Sequence, residues 1–179
     1  MNETTSVGRV WAVPARPPLC AISVEVVPVD LLTQWRRCGM VSDSLADYMS
    51  YAFERRDVAR SILSTVVNEL VENVAKYSAD KLAPARLSLE HHGASLVVSS
   101  RSVANAAHVG ALVEELEELA AGSAAEVFAR LVAQRRGLGL ALVASDYGAA
   151  LGATISPAGG GLSTVSLTAA LPASEVEQR

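Results

Sequence analysis

The sequence predicts an α+β fold: a two-layer α/β sandwich whose mixed, mostly antiparallel sheet is covered on one face by helices. Three observations predict it. Short alternating segments rich in β-branched residues recur early, in the middle and at the end of the chain. Two of them, Ala85–His91 and Ser95–Ser100, are separated only by a His92-Gly93 turn, which fits a hairpin. Between the strands lie longer stretches with helical spacing of apolar residues, which must cover one face of the sheet.

Taken in order, residues from about Gly8 to Val13 read as a short strand stopped by Pro14, Pro17 and Pro18. Cys20–Val27 alternates and reads as a second strand. Asp30 is a candidate cap for a short helix through Arg37, with Gly39 as its end, and Ser42 or Asp43 starts another helix to about Glu54. Asp57–Tyr77 is the strongest helix, with Ile62, Val66, Val67, Leu70, Val71 and Val74 on one stripe and Asp57 as a candidate N-cap. After the hairpin come helical stretches at Ala106–Ala121 and Ser123–Ala133, broken at Gly122. The block Arg135-Arg136-Gly137-Leu138-Gly139-Leu140 opens a helix reaching about Asp146, and strands near Leu151–Ser156 and Ser163–Ala170 precede a charged tail. The implied organisation is an N-terminal extension (1–54), a core (55–173) and the tail (174–179).

Composition sets the bounds. The chain has 179 residues, half of them hydrophobic, with only 4% aromatic, so the core must be built from Val, Leu, Ile and Ala. Net charge is −4 and the arginine pairs Arg36-Arg37, Arg55-Arg56 and Arg135-Arg136 form no basic stripe, which argues against a nucleic-acid partner. Cys20 and Cys38 lack metal or redox spacing and fit reduced thiols. No leader pattern and no run approaching about 20 apolar residues is present, so a cytoplasmic protein without a membrane anchor is expected.

Two motifs carry chemistry. In Asn68-Glu69-Leu70-Val71-Glu72-Asn73-Val74-Ala75-Lys76-Tyr77, helical spacing puts positions 69, 72, 73 and 76 on one face. Asn73 can offer a carbonyl oxygen to Mg²⁺, Glu69 can orient or deprotonate a nucleophile, and Lys76 can reach a phosphate. The same face also fits a plain solvated surface with a Glu72–Lys76 pair. In Gly137-Leu138-Gly139-Leu140, glycines before a helix let backbone N–H groups approach an anion, with Arg135 and Arg136 upstream, although a plain tight turn has the same pattern.

In this order, around a hairpin and before two closing strands, the motifs resemble the histidine-kinase-like (GHKL) ATPase superfamily. The run Asn73–Ser78 resembles its N-box, Gly137–Leu140 its second glycine box, and Gly161-Leu162-Ser163-Thr164 with Ala170-Leu171-Pro172 its closing strand. Trp35–Gly39 and Asp146–Ala149 extend the likeness to small stand-alone bacterial regulators similar to the SiaB-type protein kinases and the anti-sigma-factor kinases. The resemblance implies the histidine-kinase-like ATPase fold and signal transduction by ATP and Mg²⁺. Glu69 is the implied catalytic base, and Asn73 the implied metal ligand. Asn73, Lys76, Tyr77, Arg136, Gly137, Leu138, Gly139, Leu140, Ser163 and Thr164 are the implied nucleotide contacts. It also implies a Ser/Thr protein kinase or partner-switch component acting on a small protein partner, STAS-like or a similar phospho-acceptor.

One box departs. Where the superfamily carries Asp-x-Gly-x-Gly, this chain reads Ser99-Ser100-Arg101-Ser102-Val103-Ala104-Asn105. Either a Ser hydroxyl or the Asn105 amide takes the adenine contact, or the fold persists as a scaffold that sequesters a partner without ATP. No dimerisation helix with a phosphorylatable histidine is present, and His91, His92 and His108 read as turn or surface residues. Trp35, between an interface anchor and a packing residue, is read as packing, and Lys81 as solvated. An edge strand near residues 20–27 offers a route to a homodimer.

Overall fold

The computed structural model describes residues 3–12, 16–134 and 138–178, with backbone only at 133, 134 and 178. Its strands are Thr5–Gly8 (β1), Cys20–Val26 (β2), Ala85–His91 (β3), Ser95–Asn105 (β4), Ala150–Gly159 (β5) and Leu162–Pro172 (β6). Its helices are Pro28–Thr33 (α1), Arg36–Ser50 (α2), Arg56–Tyr77 (α3), Ala106–Ala121 (α4), Ala124–Gln134 (α5), Gly139–Tyr147 (α6) and Ala173–Gln178 (α7). The strands form one sheet in the order β1-β5-β6-β4-β3-β2, and each neighbouring pair is antiparallel.

Alternation along the strands decides which residues meet the helices. One face carries in-register rows such as Leu89–Val98–Ala169–Leu151 and Leu87–Ser100–Leu167–Ala153. These are buried together with Leu63, Val66, Val67 and Leu70 of α3. The other face carries a hydroxyl row, Ser23–Ser88–Ser99–Thr168. Within it the Ser88 and Ser99 hydroxyls lie 2.6 Å apart. The architecture is therefore a two-layer α/β sandwich, with residues 5–8 and 20–26 built into the same sheet as the rest.

Several boundaries differ from those the sequence suggests. The first strand is Thr5–Gly8 rather than 8–13, because its ladder to β5 runs from Thr5–Ile155 to Gly8–Gly152 and stops where Gly8 turns to φ +72°. Asp30 caps nothing: Pro28 opens α1, and Asp30 sits in the first turn, paired with Arg37. Gly39 does not end a helix but lies inside α2, where a glycine costs about 1 kcal/mol relative to alanine. Packing of Cys38, Leu45, Ala46 and Met49, all buried, offsets that cost. Arg55, not Asp57, occupies the N-cap position of α3, and Asp57 adds its charge to the first turn, where it suits the helix dipole. β4 runs on to Asn105, and residues of the charged tail form α7, whose Val176 is fully buried. Lys81 is not merely solvated: its Nζ donates to the Ala75 and Lys76 carbonyls, each at 2.8 Å, closing the C-terminal turn of α3.

Candidate functional site

A cavity of about 190 Å³ lies between α3 and α4, floored by β4 and β6 and closed by the start of α6. Helix α3 supplies Glu69, Asn73, Lys76 and Tyr77 to its wall, so the motif residues do converge on one space. They are placed there by the opposite stripe of α3, whose nine buried residues fix the helix against the sheet and α2. Glu72 is the exception. It accepts from Asn68 Nδ2 at 3.0 Å and from Lys76 Nζ at 2.7 Å, and does not line the cavity. The i, i+4 pair expected of a solvated face is thus present beside the cavity, and it holds Lys76, whose ammonium also lies 5.3 Å from the Trp35 ring centroid. Trp35 is 42% exposed, so it is not core filler.

Leu138, Gly139 and Leu140 meet α3 across the cavity. Gly139 is needed there for space: a Cβ on it would collide with the Glu69 carboxylate. Glu69 therefore lies against the first residue of α6, where the helix dipole favours a negative group. Its carboxyl is nonetheless pushed above the usual range by burial and by the neighbouring Glu72 charge, with Lys76 opposing. Lys76 is pushed up as well, chiefly by its hydrogen bond to Glu72. Arg136 and Gly137 lie outside the described residues. Ser163 and Thr164 are paired with Ala104 and Val103 on β4 and are not among the described lining residues; Val165 and Leu167 of the same strand are. Asp146 falls in the last turn of α6, which Gly148 ends at φ +61°.

The stretch that stands for the Asp-x-Gly-x-Gly box divides by register. Ser99 faces away, bonded to Ser88, whereas Ser100 and Ser102 line the cavity. The Asn105 side chain caps α4, its Oδ1 accepting from the His108 backbone N–H at 2.9 Å, and it is not among the described lining residues. His91 and His92 do sit at the hairpin. His108 is not simply at the surface: it lines the cavity, with Nδ1 3.1 Å from the Tyr77 carbonyl and its ring edge-on to Tyr77.

Sequence reasoning missed most of the opposite wall. His108, Ala111, Leu112 and Glu115 line it at i, i+3, i+4 and i+7 of α4. Burial pushes the Glu115 carboxyl up to about 7. The helical spacing was the available signal, but an amphipathic helix does not say whether its glutamate faces water or a cavity.

The donor set suits a shared rather than a caged ion. Among the described residues no group of three or more His, Cys, Asp or Glu side chains could hold a metal. The Asn73 amide oxygen and the Glu69 carboxylate are hard donors of the kind Mg²⁺ accepts when phosphates complete its shell. The Glu69 carboxylate itself fills the space beside Gly139. Asn73 and Glu69 are donors of the type a magnesium nucleotide takes. No helix among the described residues is long and apolar enough to cross a membrane.

No family model and no curated protein matches the chain. Among solved structures, one chain of the crystal structure of the SiaB–SiaC complex from Pseudomonas aeruginosa superposes with a TM-score of 0.66. The match covers 86% of this chain and 91% of that one at 18% sequence identity, so what the likeness shows is a shared fold.

Proposed function

We propose that this chain is an ATP-binding regulator that phosphorylates a serine or threonine of a small bacterial partner protein. The observation that carries the reading is the convergence of Glu69, Asn73 and Lys76 with the start of α6 on one cavity. When bound, Mg²⁺-ATP supplies an electrophilic γ-phosphoryl group with ADP as its leaving group. Asn73 would hold the ion through its amide oxygen. The N-terminus of α6 at Gly139 and the Lys76 ammonium would supply positive charge to the phosphates. Glu69, its carboxyl pushed above the usual carboxylate range, would accept the proton of the partner hydroxyl. That the fold is shared with a chain from a two-protein complex supports a partner-binding role.

Titration calorimetry of ATP and ADP with Mg²⁺ on wild type and Asn73→Ala tests the reading. Micromolar binding lost in the variant is expected, followed by phosphate transfer to a copurifying partner that Glu69→Gln abolishes. A second reading, an inactive scaffold that sequesters its partner by contact, is favoured by the replaced Asp box and by a cavity smaller than the roughly 300–1,000 Å³ that encloses drug-sized ligands. It predicts that wild type binds no nucleotide at millimolar concentration and that Asn73→Ala leaves partner capture unchanged.

A further inference from the structure

The space that a glycine opens at the start of α6 is already filled by a side chain of this protein. A Cβ on Gly139 would overlap a carboxylate oxygen of Glu69, with the Glu69 Cδ 2.9 Å and Cγ 3.6 Å from it. Both residues line the cavity. The helix end beside them has no cap of its own, because Leu138 at the N-cap position offers no side-chain acceptor to the first turn. A negative group suits that end, and the carboxylate that lies against it comes from another helix. Glu69 is not tied there. Among the described residues nothing hydrogen-bonds to it. Lys76, the one lysine or arginine among the described lining residues, is bonded to Glu72 instead, at 2.7 Å.

We propose that Glu69 is an internal competitor for the phosphate position: without nucleotide its carboxylate closes the space at Gly139, and a nucleotide binds only by displacing it. The proposal rests on the nucleotide reading above and adds an autoinhibitory contact to it. Two effects make the occupants exclusive. A phosphate oxygen and a carboxylate oxygen cannot share the volume beside one glycine. Their like charges also repel at contact distance, more strongly in a partly buried site than in water. The apparent affinity for nucleotide is then the intrinsic affinity reduced to the fraction of molecules with Glu69 turned away. Turning it away takes only a side-chain rotation, since Glu69 stands on the cavity face of α3 with no described bond to break. One carboxylate thereby serves twice. It leaves Gly139 as the phosphates arrive, so the base meant for the partner hydroxyl is released only in the loaded protein.

The test is calorimetry of Mg²⁺-ADP on wild type, Glu69→Gln, Glu69→Ala and the double variant Glu69→Ala with Gly139→Ala, each checked for folding by urea denaturation. A carboxylate seated at Gly139 in about nine molecules of ten weakens binding about tenfold, so Glu69→Ala should bind about tenfold more tightly than wild type. Glu69→Gln fills the same space without the charge and should fall between the two. In the double variant a methyl group refills the space, and the gain should disappear. That arm separates a contact at Gly139 from the general benefit of removing a negative charge near an anion. Binding by Glu69→Ala where wild type shows none would be the same result in its strongest form. Equal or weaker binding by Glu69→Ala, or a gain that survives the added methyl, overturns the competition while leaving the nucleotide reading intact. Failure of wild type and every variant to bind overturns both.

Discussion

The two helices that wall the cavity are held by very different means. Helix α3 buries nine residues, among them Leu63, Val66, Val67 and Leu70 at zero exposure, and its last turn is closed by Lys81. Helix α4 buries only Leu116 and Leu119 and is fixed at its start by the Asn105 cap and the His108–Tyr77 contact. The wall that carries Glu69 and Asn73 is thus the more deeply buried, whereas the wall that carries Glu115 is held at its start by the Asn105 cap and further along by Leu116, Leu119 and the Glu118–Arg130 pair. Fewer buried side chains on α4 leave it the less costly of the two walls to displace.

The sharpest way to break this contrast is truncation in each wall. Leu70→Ala should cost roughly 2–5 kcal/mol in urea denaturation, because α3 is packed on all sides of that residue. Leu119→Ala on α4 should cost about 2 kcal/mol, at the low end of that range, since Leu119 keeps some exposure where Leu70 has none. Equal costs would mean that α4 is as firmly seated as α3. Next in size is the pH dependence carried by the loose wall. A carboxyl raised to about 7 in the folded protein stays protonated while the unfolded one ionises, so its contribution is full below the ordinary carboxylate range and lost as pH rises toward 7. Glu115→Gln should therefore raise the melting temperature at about pH 8 by the equivalent of about 1–3 kcal/mol, and do little at about pH 4. A gain of the same size at both pH values would show that burial of the charge is not the cause.

Gly139→Ala sharpens the comparison where the walls meet the glycine turn. The added methyl group must displace Glu69, which should cost about 1–2 kcal/mol in stability and weaken Mg²⁺-nucleotide binding in calorimetry. Lys81→Ala should cost about 1 kcal/mol by freeing the Ala75 and Lys76 carbonyls, read in the same denaturation series. The smallest effect belongs to Ser78, whose buried hydroxyl has no hydrogen-bond partner among the described residues. Ser78→Ala should leave stability unchanged or raise it by about 0.5 kcal/mol, and a clear loss would reveal a bound water there.

The same contrast explains what the sequence disclosed. The stripe Ile62, Val66, Val67, Leu70, Val71 and Val74 reports the core face of α3 directly, because helical periodicity is a local property, and the cavity face follows by subtraction. Nothing local distinguishes Glu115 from Glu114 or Glu117, since which one meets the cavity depends on how α4 is rotated against β1, β5 and the floor. Register poses the same difficulty on β4. Ser99, Ser100 and Ser102 are alike in type, and only pairing with β3 and β6 sends two of them inward. Strand β1 was hard to place because its four residues pair with β5, some 150 positions away in the sequence. Trp35 reads equally well as anchor or filler until its exposure beside Lys76 is known.

Helix α7 gives an experimental handle on these differences. Val176 is fully buried and the helix packs against α3, while Glu177 is exposed. A small fluorophore at 177 would ride on the rigid wall without touching the cavity. Paired with a second dye at the exposed Glu114, it would turn the spacing of the two walls into an optical signal. A change in that spacing on adding nucleotide would be read in real time, and its absence would show that the two walls hold their separation.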